Sequence, residues 1–304
     1  VGKLSKNVSL FNRLKTLMLL PLSMLRSAAI VWHCKPDVVL GVGGYVTGPV
    51  LLAAVFLRCR TVIWEPNAYP GLANRWLSFF VDQCLVVFPE ADKYLKIKNI
   101  QRVFMPVRAE IENLSGKIKS AAGLVETHLL VFGGSQGARA INMAFVEAVQ
   151  LGGDWLQGLK IVHQTGSNDF AKLSGAYQQL VASGHAVEVH EYLHDMPDRL
   201  FWADFVISRA GASTVSELAA FGRAAILVPL PTAADDHQTK NAQALVNRDA
   251  AVLLAQNELT PERLIREIVE LKENVTRRRQ ISENVKKFYQ SGAAEQTAKI
   301  ILGS

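Results

Sequence analysis

Short apolar, β-branched runs alternate with amphipathic stretches of helical length along almost the whole chain, the pattern of parallel strands covered by helices. Nine strands are predicted: Asp37–Leu40, Thr61–Trp64, Cys84–Phe88, His128–Phe132, Lys160–His163, Val187–His190, Asp204–Ile207, Ala225–Val228 and Val252–Leu254. That is more than one ordinary sheet holds. The stretch Glu110–Glu126 is polar and helix-like before a new strand starts, which places a domain boundary near Pro106–Arg108. The expected fold class is α/β, with two doubly wound, Rossmann-like domains facing a cleft. The first runs over 1–107 and the second over 108–288, and a helix at 289–304 packs back on the first. The tail Pro261–Leu302 reads as helices, with Arg277-Arg278-Arg279 on a solvated face.

At 304 residues with 49% apolar side chains, the chain can bury two sheets. Its net charge of +6 favours anionic partners, but the basic residues are spread out without interleaved aromatics, so nucleic acid is not expected. Cys34, Cys59 and Cys84 are an odd set without metal-type spacing, as in reduced, structural thiols. Metal binding is disfavoured: Asp235-Asp236 lacks the alternating Asp-x-Asp spacing, and His163, His190, His194 and His237 are scattered. His163, closing an apolar strand, reads as a structural histidine. Leu10, Phe11, Leu14, Leu17 and Met18 recur at helical spacing near Lys3, Lys6, Arg13, Lys15 and Arg26, which suits a helix lying on an anionic membrane or one buried in a core.

The most informative run is Ser208 to Asn241. A buried strand leads to Ala210-Gly211-Ala212, where a ligand can approach the backbone, and a helix follows. Thr214 and Glu217 have capping-box spacing, so Glu217 is either a cap or, in the first turn of a helix lining a cleft, an acceptor for both ribose hydroxyls. Gln238 and Asn241 lie a turn apart in a probable helix after a polar loop. A second strand runs into Gly133-Gly134-Ser135-Gln136-Gly137-Ala138-Arg139, whose amides and Ser135 hydroxyl suit a phosphate; without a Lys-Ser/Thr ending it is no Walker loop. Gly41-Val42-Gly43-Gly44-Tyr45-Val46-Thr47-Gly48 is a weaker signal, since Val46 stands where a dinucleotide fingerprint needs its third glycine.

These motifs together resemble the MurG family of bacterial glycosyltransferases. The likeness rests on Gly43 to Pro49, Glu65-Pro66-Asn67, Gly71-Leu72-Ala73-Asn74, Pro106-Val107-Arg108, the Gly133 to Arg139 loop, His163-Gln164-Thr165-Gly166 and the Ser208 run. The resemblance implies a GT-B fold and inverting transfer of N-acetylglucosamine from UDP-N-acetylglucosamine (UDP-GlcNAc) to lipid I, the undecaprenyl-pyrophosphoryl muramyl-pentapeptide. The product would be lipid II for peptidoglycan synthesis, and no cofactor is implied. It further implies a peripheral enzyme on the cytoplasmic face of the bacterial inner membrane, with an acceptor and membrane-facing first domain and a donor-binding second domain. Residue by residue, Ser135 would meet the diphosphate with Arg108 supplying positive charge, and Leu193 would contact the uracil. Ala212, Ser213, Thr214, Val215, Ser216 and Glu217 would cradle the nucleotide, Glu217 taking the ribose. Gln238 would hold the sugar hydroxyls, and Asn67 would reach the donor from the first domain.

The chain departs from the family pattern at Pro66, where Gln is usual, and at Phe104-Met105, where Gly-Asn is usual. Nothing before Lys35 matches the family's opening strand and glycine loop ending in histidine. The first domain is therefore expected to be incomplete, with the general base upstream of Val1. A catalytically impaired nucleotide-sugar-binding protein, or a related transferase with another acceptor, are the alternatives.

Overall fold

The computed structural model describes residues 10–44, 46–117 and 126–303, which form two compact units. The first comprises Val1–Met105, Thr232–Lys240 and Gly292–Ser304, and the second Pro106–Pro231 and Asn241–Ser291. The second unit thus starts at Pro106, and it is not the continuous 108–288 expected: residues 232–240 group with the first.

In the first unit, α1 (Leu10–Cys34) leads into β1 (Val38–Gly41), α2 (Thr47–Phe56), β2 (Arg60–Glu65), α3 (Leu72–Leu77), β3 (Gln83–Val86) and β4 (Ile100–Arg102). The four strands are parallel in the order β1-β2-β3-β4. Side chains alternate across the sheet. Ile63, Cys84 and Val86 pack on one face with Leu51 and Leu77, while Val62 and Leu85 pack on the other with Val103. The carboxy-terminal helix covers that second face: its Ile300 and Ile301 lie against this cluster, and Arg60 donates to the Ile300 carbonyl at 3.0 Å.

In the second unit, α4 (Ala109–Ser115) precedes β5 (Thr127–Phe132), α5 (Arg139–Leu151), β6 (Leu159–Gln164), α6 (Ser167–Ala182), β7 (Val187–His190), α7 (Met196–Trp202), β8 (Phe205–Ser208), α8 (Ala212–Phe221) and β9 (Ala224–Leu227). Then come α9 (His237–Val246), β10 (Val252–Leu253), α10 (Pro261–Glu273), α11 (Val275–Lys286) and finally α12 (Ala293–Leu302), the helix on the first sheet. The division between units falls within α9. The sheet is wholly parallel, in the order β10-β9-β8-β5-β6-β7. Its central strands are mostly apolar because both faces are covered; β8 and β9 have no exposed residue. Local chemistry sets the tail helices. Thr260 caps α10 by accepting from the Arg263 amide, with Pro261 in its first turn, and Asn274 caps α11 by accepting from the Arg277 amide.

All nine expected strands are present within two residues of the expected ends, and among the described residues β4 is a tenth. Ile100, Gln101 and Arg102 are half-buried or exposed, so that edge strand carries no apolar run. The Glu110–Glu126 expectation is met by helix only over Ala109–Ser115, and residues 118–125 lie outside those described.

Candidate functional site

The order of the second sheet locates a crevice. From β5 the chain winds outward through β6 and β7, then returns to place β8 on the opposite side of β5. Phe132 and Ser208, the last residues of β5 and β8, are register partners, so the loops leaving them emerge side by side. Ligands of open α/β sheets bind at such a switch point. One of these loops is the Gly133–Ala138 turn and the other is Arg209–Gly211. The residues before α5 and α8, Ala138 and Gly211, supply no side-chain cap, which suits first-turn amides of both helices to an anion.

The glycine loop is built against its neighbour. Gly137 has φ +74°, and a Cβ on it would lie 2.0 Å from the Thr165 carbonyl oxygen; one on Gly166, at φ +79°, would lie 2.6 Å from the Gln136 carbonyl. Only glycine permits this backbone-on-backbone contact. Ser135 stands exposed at the tip of the turn.

The structure corrects the capping box. Helix α8 begins at Ala212 with Gly211 before it, so Thr214 lies in the first turn and Glu217 in the second. Glu217 instead meets Arg108, the residue preceding α4, with Nη2 and Oε1 3.3 Å apart. The Glu217 side chain is 17% exposed and that of Arg108 is 55% exposed. Burial raises the Glu217 carboxyl above its ordinary pKa, and Arg108 pulls it partly back. Val215 and Ser216 are buried, and the Ser216 hydroxyl donates to the Ala212 carbonyl at 3.0 Å. Of the six residues expected to cradle a nucleotide, those two turn their side chains inward, leaving Ala212, Ser213, Thr214 and Glu217 accessible. Arg209 fixes the preceding loop by donating to the Val228 and Pro229 carbonyls at 3.0 and 3.1 Å.

Leu193 is likewise buried, and its amide donates to Gln164 Oε1 at 2.8 Å, so neither its side chain nor its N–H is turned outward. Beneath these loops lies a closed polar network. Asn142 Nδ2 donates to the Thr165 carbonyl and to Asp169, which leaves its Oδ1 as acceptor for His163 Nε2 at 3.1 Å. His163 is therefore the Nε2-protonated tautomer, and its Nδ1 accepts from the Tyr177 hydroxyl. Full burial lowers the His163 pKa to about 3. It is the structural histidine the sequence suggested.

In the first unit the organising group is Glu65, 2% exposed at the end of β2. Its Oε1 accepts from the Asn67 amide and Asn67 Nδ2, and its Oε2 accepts from the Gly71 amide and Asn74 Nδ2. One buried carboxylate thus folds the whole Asn67–Asn74 loop and fixes Asn67. Gln238 is half-buried in the first turn of α9 and falls in the first unit, whereas Asn241, in the same helix, is buried in the second and donates to the Ala210 carbonyl at 3.2 Å. Among the described residues no group of three or more His, Cys, Asp or Glu is placed to hold a metal. Gln164, Asn142, Glu65 and Arg209 were not assigned site roles from sequence. The available signal was a polar or charged residue at or next to the end of a buried strand, or on the buried face of a helix.

Residues 128–297 match the glycosyltransferase family 28 C-terminal domain, and residues 2–86 match its N-terminal domain. The UDP-N-acetylglucosamine--N-acetylmuramyl-(pentapeptide) pyrophosphoryl-undecaprenol N-acetylglucosamine transferase of Bdellovibrio bacteriovorus is 46% identical over 290 residues, covering 95% of this chain and 79% of that protein. The transferase of the same name from Myxococcus xanthus is 38% identical over 297 residues, covering 98% of this chain and 76% of that one. The crystal structure of Acinetobacter baumannii MurG superposes with a TM-score of 0.79 at 28% identity, covering 100% of this chain and 83% of that one. Staphylococcus aureus MnaA in complex with UDP, at 14% identity and a TM-score of 0.65 over 93% of this chain and 80% of that one, shares the fold.

Proposed function

The chain belongs to glycosyltransferase family 28, with the α/β GT-B fold, and from that premise we propose that it transfers N-acetylglucosamine from UDP-GlcNAc to lipid I, giving lipid II for peptidoglycan. It is a hexosyltransferase. The reading is carried by the crevice between β5 and β8, where two uncapped helices and the Arg108–Glu217 pair belong to one unit. In the transfer, the acceptor hydroxyl gives up its proton to a general base and attacks the anomeric carbon while the bond to the diphosphate breaks and UDP leaves. Charge grows on the departing diphosphate. The amides at the starts of α5 and α8, Ser135 and Arg108 are of the kind that stabilise it, being fixed before the reaction. Glu217 is the acceptor for the ribose hydroxyls, Ala212, Ser213 and Thr214 line the nucleotide, and Leu193 contributes backbone beside the base.

The acceptor carries a polyprenyl chain, and the exposed apolar side chains of the first unit fit a lipid surface. Leu22, Leu25 and Trp32 lie along one face of α1 beside Arg26, and Trp76 and Phe79 project at and after α3 near Arg75, Lys93 and Lys96, with Phe80 exposed next in the chain. Apolar groups ringed by cations suit an anionic interface. Among the described residues no helix is long and apolar enough to cross a membrane. The proposed location is the cytoplasmic face of the inner membrane, held peripherally. Lys3 and Lys6 lie outside the described residues, as do the side chains of Leu10, Phe11, Leu14, Leu17 and Met18.

The test is transfer of labelled N-acetylglucosamine from UDP-GlcNAc to lipid I in mixed micelles. Formation of lipid II supports the reading. UDP-GlcNAc binding without transfer would support the impaired binding protein instead, and transfer only to another acceptor would redirect the assignment.

A further inference from the structure

Gln164 closes β6 at 2% exposure, and both ends of its amide are used. Its Nε2 donates to the Gly134 carbonyl at 3.0 Å, inside the glycine turn after β5. Its Oε1 accepts from the Leu193 amide at 2.8 Å, in the loop after β7. Strand β6 lies between β5 and β7, so this side chain spans the ends of three adjacent strands. The Gly134 carbonyl also accepts from the Gly137 amide, so Gln164 grips the hydrogen bond that closes the turn. The following residues repeat the link: the Thr165 and Gly166 amides donate to the His190 and Glu191 carbonyls, while Gly166 packs on Gln136.

We propose that Gln164 is a positioning residue that sets the spacing between the diphosphate loop at Gly133–Ala138 and the nucleobase loop at Leu193, and so couples recognition of the base to recognition of the phosphates. This rests on the donor reading given above. A hydrocarbon stem of the same length would fill the space but hold neither loop. An acid would keep the bond from Leu193 and lose the one to Gly134. Neither change touches the ligand, so the effect appears as lost discrimination more than as lost contact.

The experiment is calorimetric titration of the full chain and of Gln164→Met and Gln164→Glu with UDP, ADP and inorganic pyrophosphate, alongside circular dichroism melts. Both variants are expected to lose about tenfold in UDP affinity, the scale of one or two buried hydrogen bonds left unmade. ADP and pyrophosphate should change by less than about twofold, a difference well under one such bond, so the preference for UDP over ADP narrows. Retained pyrophosphate binding reports a folded glycine loop; should Gln164→Met fail to melt cooperatively, Gln164→Glu, which keeps one of the two bonds, carries the test. Variants with lower melting temperature but unchanged preference for UDP would overturn the proposal and leave Gln164 a packing residue. A wild-type chain with no preference for UDP over ADP would instead overturn the donor reading.

Discussion

Arg108 and Glu217, 109 residues apart in the chain, meet at 3.3 Å in the second unit. The pair joins the residue preceding α4 to the second turn of α8, and Arg108 partly offsets the burial that raises the Glu217 carboxyl. If Glu217 takes the ribose hydroxyls, as proposed, they meet a carboxyl group already positioned by Arg108. Glu217→Ala is expected to weaken UDP-GlcNAc binding by roughly 10- to 100-fold, the range for hydrogen bonds to a charged group. Unchanged affinity in calorimetry would return Glu217 to a structural role.

The same pair gives a pH dependence with a definite sign. Burial raises the Glu217 carboxyl, and only the carboxylate accepts from both hydroxyls. Donor affinity should decline on acidification at a higher pH than an ordinary carboxylate predicts. Arg108→Met, which removes the charge that opposes the shift, should move the decline to higher pH. A pH profile of UDP-GlcNAc affinity for both proteins decides this; coincident profiles would exclude Glu217 as the titrating group.

Gly137→Ala should disable the glycine loop. Its positive φ costs an alanine about 1–3 kcal/mol, and the new Cβ would lie 2.0 Å from the Thr165 carbonyl. Lower stability in urea together with loss of UDP-GlcNAc binding is expected, and retention of both would mean the loop relaxes without consequence.

His163 makes the fold acid-sensitive. Its pKa falls from 6.5 to about 3 in the folded protein, so the unfolded chain binds the extra proton between those values. The stabilisation is complete above about 6.5 and is lost as pH falls towards about 3, by a few kcal/mol in all. His163→Gln should be less stable at neutral pH yet lose less on acidification. Urea midpoints at pH 7 and pH 4.5 test it, and equal acid losses in the two proteins would contradict the assignment.

Thiol reactivity should follow position in the fold. Cys34 is exposed and Cys84 is buried, with a thiol pushed up to about 12 by burial and then by Glu65. A disulfide reagent at pH 8 should modify Cys34 rapidly and Cys84 only on unfolding; rapid labelling of Cys84 in the native protein would show that the first sheet opens.

The strand pattern was legible in sequence because central strands of a parallel sheet are covered on both faces and are mostly apolar, as in Leu129–Phe132 and Phe205–Ile207. Strand β4 was not, because an edge strand is partly exposed and Ile100-Gln101-Arg102 carries no such constraint. Thr214 and Glu217 had capping-box spacing, but that spacing constrains only local geometry. Where α8 begins is set by the end of β8, and this moved Glu217 into the second turn and into reach of Arg108. Leu193, Val215 and Ser216 were placed in the site by motif, and packing turned their side chains inward.

By itself the sequence determined the fold class and the tight glycine turn after β5, because periodicity and glycine φ preferences are local properties of the chain. It also carried the family, through ordered motifs from Gly43 to Asn241. Only the tertiary structure decided the partners: Arg108 with Glu217, Gln164 between Gly134 and Leu193, and Glu65 within the Asn67–Asn74 loop. Most polar groups that a buried side chain takes out of water find a hydrogen-bond partner. The groups that do so stand on other strands and loops, at separations that only folding brings within hydrogen-bond distance.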